Sequence, residues 1–304
     1  MSRTFGMGVE VIVEGGTSII GDPRALNVND VSGLYTNGTE EWLKTGTVDT
    51  DVASYPDAKT TTTAAGTYTG NSFSVAGQDT GPRGLAFDGT YFWLVGSATA
   101  KAYKYTIAGV YTGTSFSVAG QSAAPSGITW DGTYFWVVDI NSRNVYKYDA
   151  AGIYAGVSFY VGGQELSPRA MTWDDVNFWV VGNTTNAVYK YTAAGVYTGT
   201  SFSVAGEDSS GLGITWDGAS FWVTGGTAQV IFKYTDTGIY TGISFSVGAQ
   251  DIWPSGITWD GSNFLVSGNN TDTAYKYSGE STFVGSSLEA SNTASTFPYY
   301  LRIK

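Results

Sequence analysis

Asp88, Asp131, Asp174, Asp217 and Asp260 stand 43 residues apart along the chain. Carboxylates brought together can act as general acid and base, or as hard oxygen ligands for a divalent cation. Their neighbours favour a third reading. Four of the five precede glycine, at Gly89, Gly132, Gly218 and Gly261, and Asp-Gly is the dipeptide of a two-residue hairpin turn. No Asp-x-Asp-x-Asp-Gly loop occurs, so neither a metal nor another cofactor is expected. The chain contains no histidine and no cysteine. That excludes Ser–His and Cys–His nucleophilic schemes, imidazole and thiolate metal sites, and disulfides. The expectation is a protein that is not an enzyme.

These aspartates punctuate a repeat. The chain reads PRGLAFDGTYFWLVG at 82–96, SGITWDGTYFWVVD at 126–139, PRAMTWDDVNFWVVG at 168–182, GLGITWDGASFWVTG at 211–225 and PSGITWDGSNFLVSG at 254–268. One copy divides into four pieces rich in β-branched and aromatic residues: Gly127–Asp131, Tyr134–Asp139, Val145–Asp149 and Tyr154–Val161. Tight turns join them and no helical spacing of apolar residues intervenes, so each unit is an antiparallel four-stranded meander. The second piece is apolar at nearly every position and must be covered on both faces. A closed ring of such units does this, which predicts an all-β propeller.

The fourth piece begins at Tyr68, Tyr111, Tyr154, Tyr197, Tyr240 and Phe283, whereas the first begins only at Gly84, Gly127, Ala170, Gly213 and Gly256. The extra fourth piece calls for a further first piece upstream, and SGLYTNGTEEWLKTG at 32–46 aligns with it without a gap, Asn37-Gly38 matching Asp131-Gly132. Six blades are therefore expected, at about 32–75, 84–118, 127–161, 170–204, 213–247 and 256–290. The first would be irregular, with its extra residues in Thr47–Thr62. The alternative is five blades plus a small N-terminal β domain. Residues 1–31 and 291–304 then flank the ring as attachment segments. Their β-capable pieces, Val9–Val13 and Tyr299–Ile303, are expected to pair with each other, with neighbouring subunits or with a partner protein.

The repeat resembles the blades of six-bladed propellers of the NHL type in its order of G-I-x-W-D, F-W-V-V and V-Y-K-Y pieces. That resemblance implies architecture and leaves activity open. WD repeats are set aside, because the Trp-Asp pair ends the first strand and the Gly-His partner is missing. The sialidase box fails because Asp131 and Gly132 are adjacent. Near-verbatim repetition, with YTGTSFSVAG at 111–120 and 197–206, resembles tail-fibre and spike adhesins of bacteriophage virions. So do WLKTG at 42–46, YPDA at 55–58 and FPYYLRIK at 297–304.

The 304 residues carry 26 acidic and 15 basic side chains, a net charge of −11, which disfavours a nucleic-acid partner. No apolar run approaches the about 20 residues of a membrane helix, so no membrane insertion is expected, and the N-terminal stretch does not read as a secretory signal. Together with the fibre-like segments, this implies a virion protein. It would assemble in the host cytoplasm, be exposed after lysis, act as a homo-oligomer within a particle, and join other virion proteins through its termini. The expected role is a receptor-binding propeller of the tail-fibre or spike type, taking a host-surface glycan or protein. A head- or tail-decorating protein, a bacterial surface propeller, and a six-bladed hydrolase or lyase are the alternatives.

Recognition is expected where the copies differ. In a meander the A–B and C–D turns share one rim, and the B–C and D–A loops the other. The first set is nearly constant and the second varies, as in scaffolds that present loops for binding. The candidate contact residues on the variable rim are Trp253, Asp251, Arg83, Asp79, Arg169, Glu165, Asp208, Asn141 and Arg143. Trp253 is the aromatic that no other copy has at its place; packing against a neighbouring blade is its structural alternative.

Overall fold

The computed structural model describes residues 59–285 continuously and five further strands, with side chains over 64–280. It divides into two units, Thr63–Ser281 and Met1–Thr62 with Thr282–Lys304. In the second of these, β1 (Val9–Val13), β2 (Thr17–Gly21), β3 (Val31–Thr36) and β4 (Glu41–Thr45) join a strand from the other chain end, Tyr299–Arg302. The order is β2, β1, the C-terminal strand, β4, β3. Val11 lies opposite Leu301, and Tyr299 opposite Thr45. The two β-capable terminal pieces thus pair with each other. β5 (Lys59–Thr63) pairs separately with Ser281–Gly285.

The larger unit is a ring of four-stranded antiparallel blades, each written innermost strand first. Blade 1 is β7 (Pro82–Phe87), β8 (Phe92–Gly96), β9 (Lys101–Tyr105) and β10 (Tyr111–Ser117). Blade 2 is β11 (Pro125–Trp130), β12 (Phe135–Asp139), β13 (Asn144–Tyr148) and β14 (Tyr154–Tyr160). Blade 3 is β15 (Pro168–Trp173), β16 (Asn177–Gly182), β17 (Ala187–Thr192) and β18 (Tyr197–Ser203). Blade 4 is β19 (Gly211–Trp216), β20 (Ser220–Gly225), β21 (Val230–Thr235) and β22 (Tyr240–Ser246). Blade 5 is β23 (Pro254–Trp259), β24 (Asn263–Gly268) and β25 (Thr273–Ser278), closed on the outside by β6 (Tyr68–Ser74) from the front of the chain.

The ring therefore has five blades, the alternative weighed above, and not six. The surplus fourth piece is β6, which completes the last blade. The 32–46 hairpin does form, with Tyr35 opposite Trp42, but the C-terminal strand takes its open edge, so among the described residues no third and fourth blade strands follow it. The turn residues Asn37-Gly38 and most of the Thr47–Thr62 insertion lie outside the described residues.

The second strand of each blade is buried along its whole apolar run, because it is sandwiched between neighbouring blades. Trp93 packs on Phe135 of the next blade at 4.7 Å between ring centres, and Trp136–Phe178, Trp179–Phe221 and Trp222–Phe264 repeat the contact. Such tilted pairs contribute about 0.5–1.5 kcal/mol each beyond their buried area. At the closing seam Leu265 replaces the tryptophan and joins Phe92 and Leu94. The innermost strands approach one another so closely that a Cβ on Gly84 would lie 2.6 Å from Gly127 Cα, and one on Gly256 2.4 Å from the Arg83 carbonyl oxygen. Four of the five equivalent positions are glycine for this reason, and the third blade accommodates only the single methyl of Ala170.

The 43-spaced aspartates lie in the A–B turns. Asp131 Oδ1 accepts hydrogen bonds from the backbone of Thr133 and Tyr134, and Oδ2 accepts one from Trp136 Nε1 at 2.6 Å. Blades 1, 3 and 4 repeat this latch. In blade 5, which lacks the tryptophan, Asp260 instead pairs with Lys276 at 2.9 Å. The residue after the aspartate is a glycine at φ between 91° and 100° in four blades, but Asp175 holds φ 72° in the third. Left-handed backbone costs a non-glycine residue about 1 kcal/mol. Asp175→Gly is accordingly expected to raise the thermal midpoint by about 2 °C, since roughly 1 kcal/mol moves a unit of this size that far. A lowered midpoint by calorimetry would show that Asp175 carries an unrecognised favourable contact.

Candidate functional site

On the rim built from D–A and B–C loops, the ring opens into a cavity of about 420 Å³ on its axis. Equivalent positions line it in tiers, the first of them drawn from all five blades. The floor is Arg83, Ser126, Arg169, Leu212 and Ser255. Above it the wall includes Ser97, Ile140, Gly226 and Asn269, and Ala124, Ser210 and Trp253 form the lip. These tiers are where near-identical blades become unlike.

The floor residues point inward for a local reason. In blades 1 to 4 the first strand pairs in register up to a bulge, where Arg83, Ser126, Arg169 and Leu212 are the extra, unpaired residues. A bulge breaks the pleat and re-aims one side chain. Ser126 and Ser255 use this to donate to the carbonyl oxygens of Pro168 and Pro82 in the adjoining blades, at 2.8 and 3.0 Å. Arg83 and Arg169 instead bring two guanidiniums to the same level. Arg83 Nε donates to Ser97 Oγ at 3.2 Å. Arg169 Nε is buried without a hydrogen-bond partner, as is the wall oxygen Asn269 Oδ1. Burial and the neighbouring Arg83 charge lower the pKa of Arg169, against a smaller opposing pull from Glu165. Among the described residues, neither arginine is ion-paired.

Four of the candidate contact residues are buried and do not line this cavity. Asp79, Glu165, Asp208 and Asp251 are buried, each clamping its D–A loop to the B–C loop of the same blade. Asp251 accepts hydrogen bonds from the backbone of Trp253 and Thr271 and from Thr271 Oγ1. Glu165 takes the equivalent donors from Ser167, Thr184 and Thr185. Each carboxyl fills the space over a glycine: a Cβ on Gly96 would lie 2.0 Å from Asp79 Cγ, and one on Gly268 2.2 Å from Asp251 Oδ2. Their place is structural because these donors saturate them. For Glu165, burial pushes the pKa up, but the Thr185, Ser167 and Thr184 donors outweigh it and hold the carboxyl below its ordinary range.

Blade 2 builds the same clamp from the other strand. Ser122 occupies the carboxylate position, and Asp139 stands where the other blades have glycine. Asp139 accepts from Ser122 Oγ at 2.7 Å and from the backbone of Ala124, Asn141 and Ser142. Burial again raises its pKa, and those donors together bring it below the ordinary value.

Three of the nine candidate residues meet at the cavity: Arg83, Arg169 and Trp253. Trp253 is 60% exposed and belongs to none of the buried clusters, so it does not pack as blade core. Asn141 and Arg143 stay on the rim outside the cavity lining; Asn141 is exposed, and Arg143 Nε reaches the Leu166 carbonyl at 3.2 Å. The sequence reading missed Ser126, Leu212, Ser255 and Asn269, and with them the axial tiers. The available signal was columnar: positions 83, 126, 169, 212 and 255, at 43-residue spacing, show Arg, Ser, Arg, Leu and Ser.

No protein-family model matches the chain, and no curated protein does. Solved propellers are similar in fold. The glutaminyl cyclase of Myxococcus xanthus is 9% identical with a TM-score of 0.52, over 74% of this chain and 97% of that one. Virginiamycin B lyase from Staphylococcus aureus is 16% identical with a TM-score of 0.42, over 83% and 96%. A structure of the nidogen/laminin complex is 12% identical with a TM-score of 0.46, over 73% and 85%. At such identities the likeness is one of architecture, and the named activities belong to those proteins.

Proposed function

We propose that the chain is a non-catalytic binding propeller of a bacteriophage virion, presenting its axial mouth to a molecule on the host surface. One observation carries the recognition reading: a scaffold repeated almost verbatim varies from blade to blade in the tiers around that mouth, where an exposed tryptophan and two arginines converge. Divergence on a concave, solvent-open surface fits a ligand better than it fits folding. The clamp carboxylates nearest the mouth are hydrogen-bonded by backbone and hydroxyl donors, which suits a structural role and not acid–base chemistry. The virion setting draws on the fibre-like segments of the sequence. The sheet that knits both chain ends together supplies a candidate mount for other virion proteins, with β2 and β3 as its edge strands.

Trp253 is the anchor this reading singles out, since a tryptophan offers a broad apolar face and a polar tip. Truncating such an anchor typically costs about 2 kcal/mol, roughly thirtyfold in affinity. Labelled protein is expected to bind intact cells of the host saturably, and Trp253→Ala to weaken that binding about thirtyfold with the thermal midpoint close to the natural one. Antibody raised against the chain is expected to decorate particles released on lysis. Undecorated particles would remove the virion setting. Equal cell binding by the natural chain and Trp253→Ala would move recognition away from the mouth.

A further inference from the structure

We propose that the axial cavity binds the carboxylate of an acidic sugar, held by Arg83 and Arg169 with the sugar ring against Trp253. This rests on the recognition reading above and specifies its ligand. Two guanidiniums on the floor of one cavity repel each other, and each is partly desolvated. The fold does not need them: the equivalent places in blades 2 and 5 are serines that tie one blade to the next through a carbonyl. A paired, partly buried positive charge without a carboxylate partner is unfavourable in the empty protein and is relieved by an anion.

Two guanidiniums at the base of one cavity, neither ion-paired among the described residues, call for an anion. Guanidinium presents parallel N–H donors that match a carboxylate fork. Ser97 and Asn269 line the same cavity with hydroxyl and amide groups suited to sugar hydroxyls. Leu212, Ile140 and Trp253 supply apolar surface, and a volume of about 420 Å³ lies within the range of small-ligand sites.

The test titrates the full chain with oligogalacturonate, oligoglucuronate and sialyllactose, each beside its carboxyl-reduced counterpart, and with poly(glycerol phosphate), following tryptophan fluorescence and heat. At least one acidic sugar is expected to bind about tenfold or more tightly than its reduced form, the scale of a charge-assisted pair. In Arg83→Ser/Arg169→Ser, which copies the residue blades 2 and 5 already use, that preference is expected to vanish while the thermal midpoint holds or rises. Indifference to carboxyl reduction across the panel, preference for poly(glycerol phosphate), or acid-selective binding that survives the double change would each overturn the proposal. If the panel fails while Trp253→Ala still weakens cell binding, the recognition reading stands and only the acidic ligand falls.

Discussion

Exchanging Ser122 and Asp139 for the arrangement of the other blades, as Ser122→Asp/Asp139→Gly, is expected to leave the protein about as stable as the natural chain, while either change alone is severely damaging. Asp139→Gly strands Ser122 Oγ and the backbone donors of Ala124, Asn141 and Ser142, which all converge on one carboxyl. Leaving buried donors unpaired costs about 1–3 kcal/mol per group, so a loss of roughly 3 kcal/mol or more is expected. Ser122→Asp alone sets a second carboxyl against the buried first one, and like charges in a desolvated site cost a comparable amount. The double change recreates the geometry of Asp79 over Gly96 and Asp251 over Gly268. Four denaturation curves close the cycle. With the double change near zero, the coupling should equal the two single losses together, about 6 kcal/mol, above the roughly 0.5–3 kcal/mol usual for contacting residues. Additive losses would mean that blade 2 holds its loops by some other contact.

That clamp also shows what the sequence did and did not disclose. The 43-residue period, the Asp-Gly turns and the unbroken apolar second strand are local signals, and they read directly as four-stranded blades packed face to face. Blade number is not local. It depends on which partner a strand chooses at the end of the chain, and Tyr68–Ser74 could finish an N-terminal sixth blade or the fifth until closure decided it. The candidate site divided along the same line. Trp253 announced itself by being unlike its four equivalents. Asp79, Glu165, Asp208 and Asp251 looked like surface loop residues because acidic side chains in short polar loops usually are. Their burial follows from a glycine in the facing strand, a pairing visible only when two columns of the repeat are compared. Ser122 facing Asp139 was the clue, since the one blade without a carboxylate in the first column has it in the second.

A permuted ring, residues 77–279 followed directly by 65–76, is expected to fold as a monomeric five-bladed propeller without the terminal sheet. The turn that closes blade 5 is the reason. In blade 1 the C–D turn is covalent: Gly109 N donates to the Thr106 carbonyl and Thr106 N to the Val110 carbonyl, at 2.8 and 2.9 Å. Blade 5 makes the same pair of bonds between distant parts of the chain, Gly66 N to the Ser278 carbonyl and Ser278 N to the Thr67 carbonyl, both at 2.8 Å. Joining Gly279 to Ala65 therefore rewrites a noncovalent turn as the Thr106–Tyr111 turn of blade 1, residue for residue. The new ends fall in a D–A loop, where cutting is best tolerated. Removing residues 1–76 without this graft has the opposite outcome. It strips Phe73 and Val75 from the seam with Leu85, Phe92 and Tyr105, and exposes β25 as a bare edge. Burying two such apolar side chains stabilises by about 3–6 kcal/mol, so the truncated ring should lose cooperative unfolding and aggregate, while the permutant melts in one transition. A truncated chain that stays monomeric and melts like the permutant would show that β6 is an ornament and that the ring is closed by its inner strands alone.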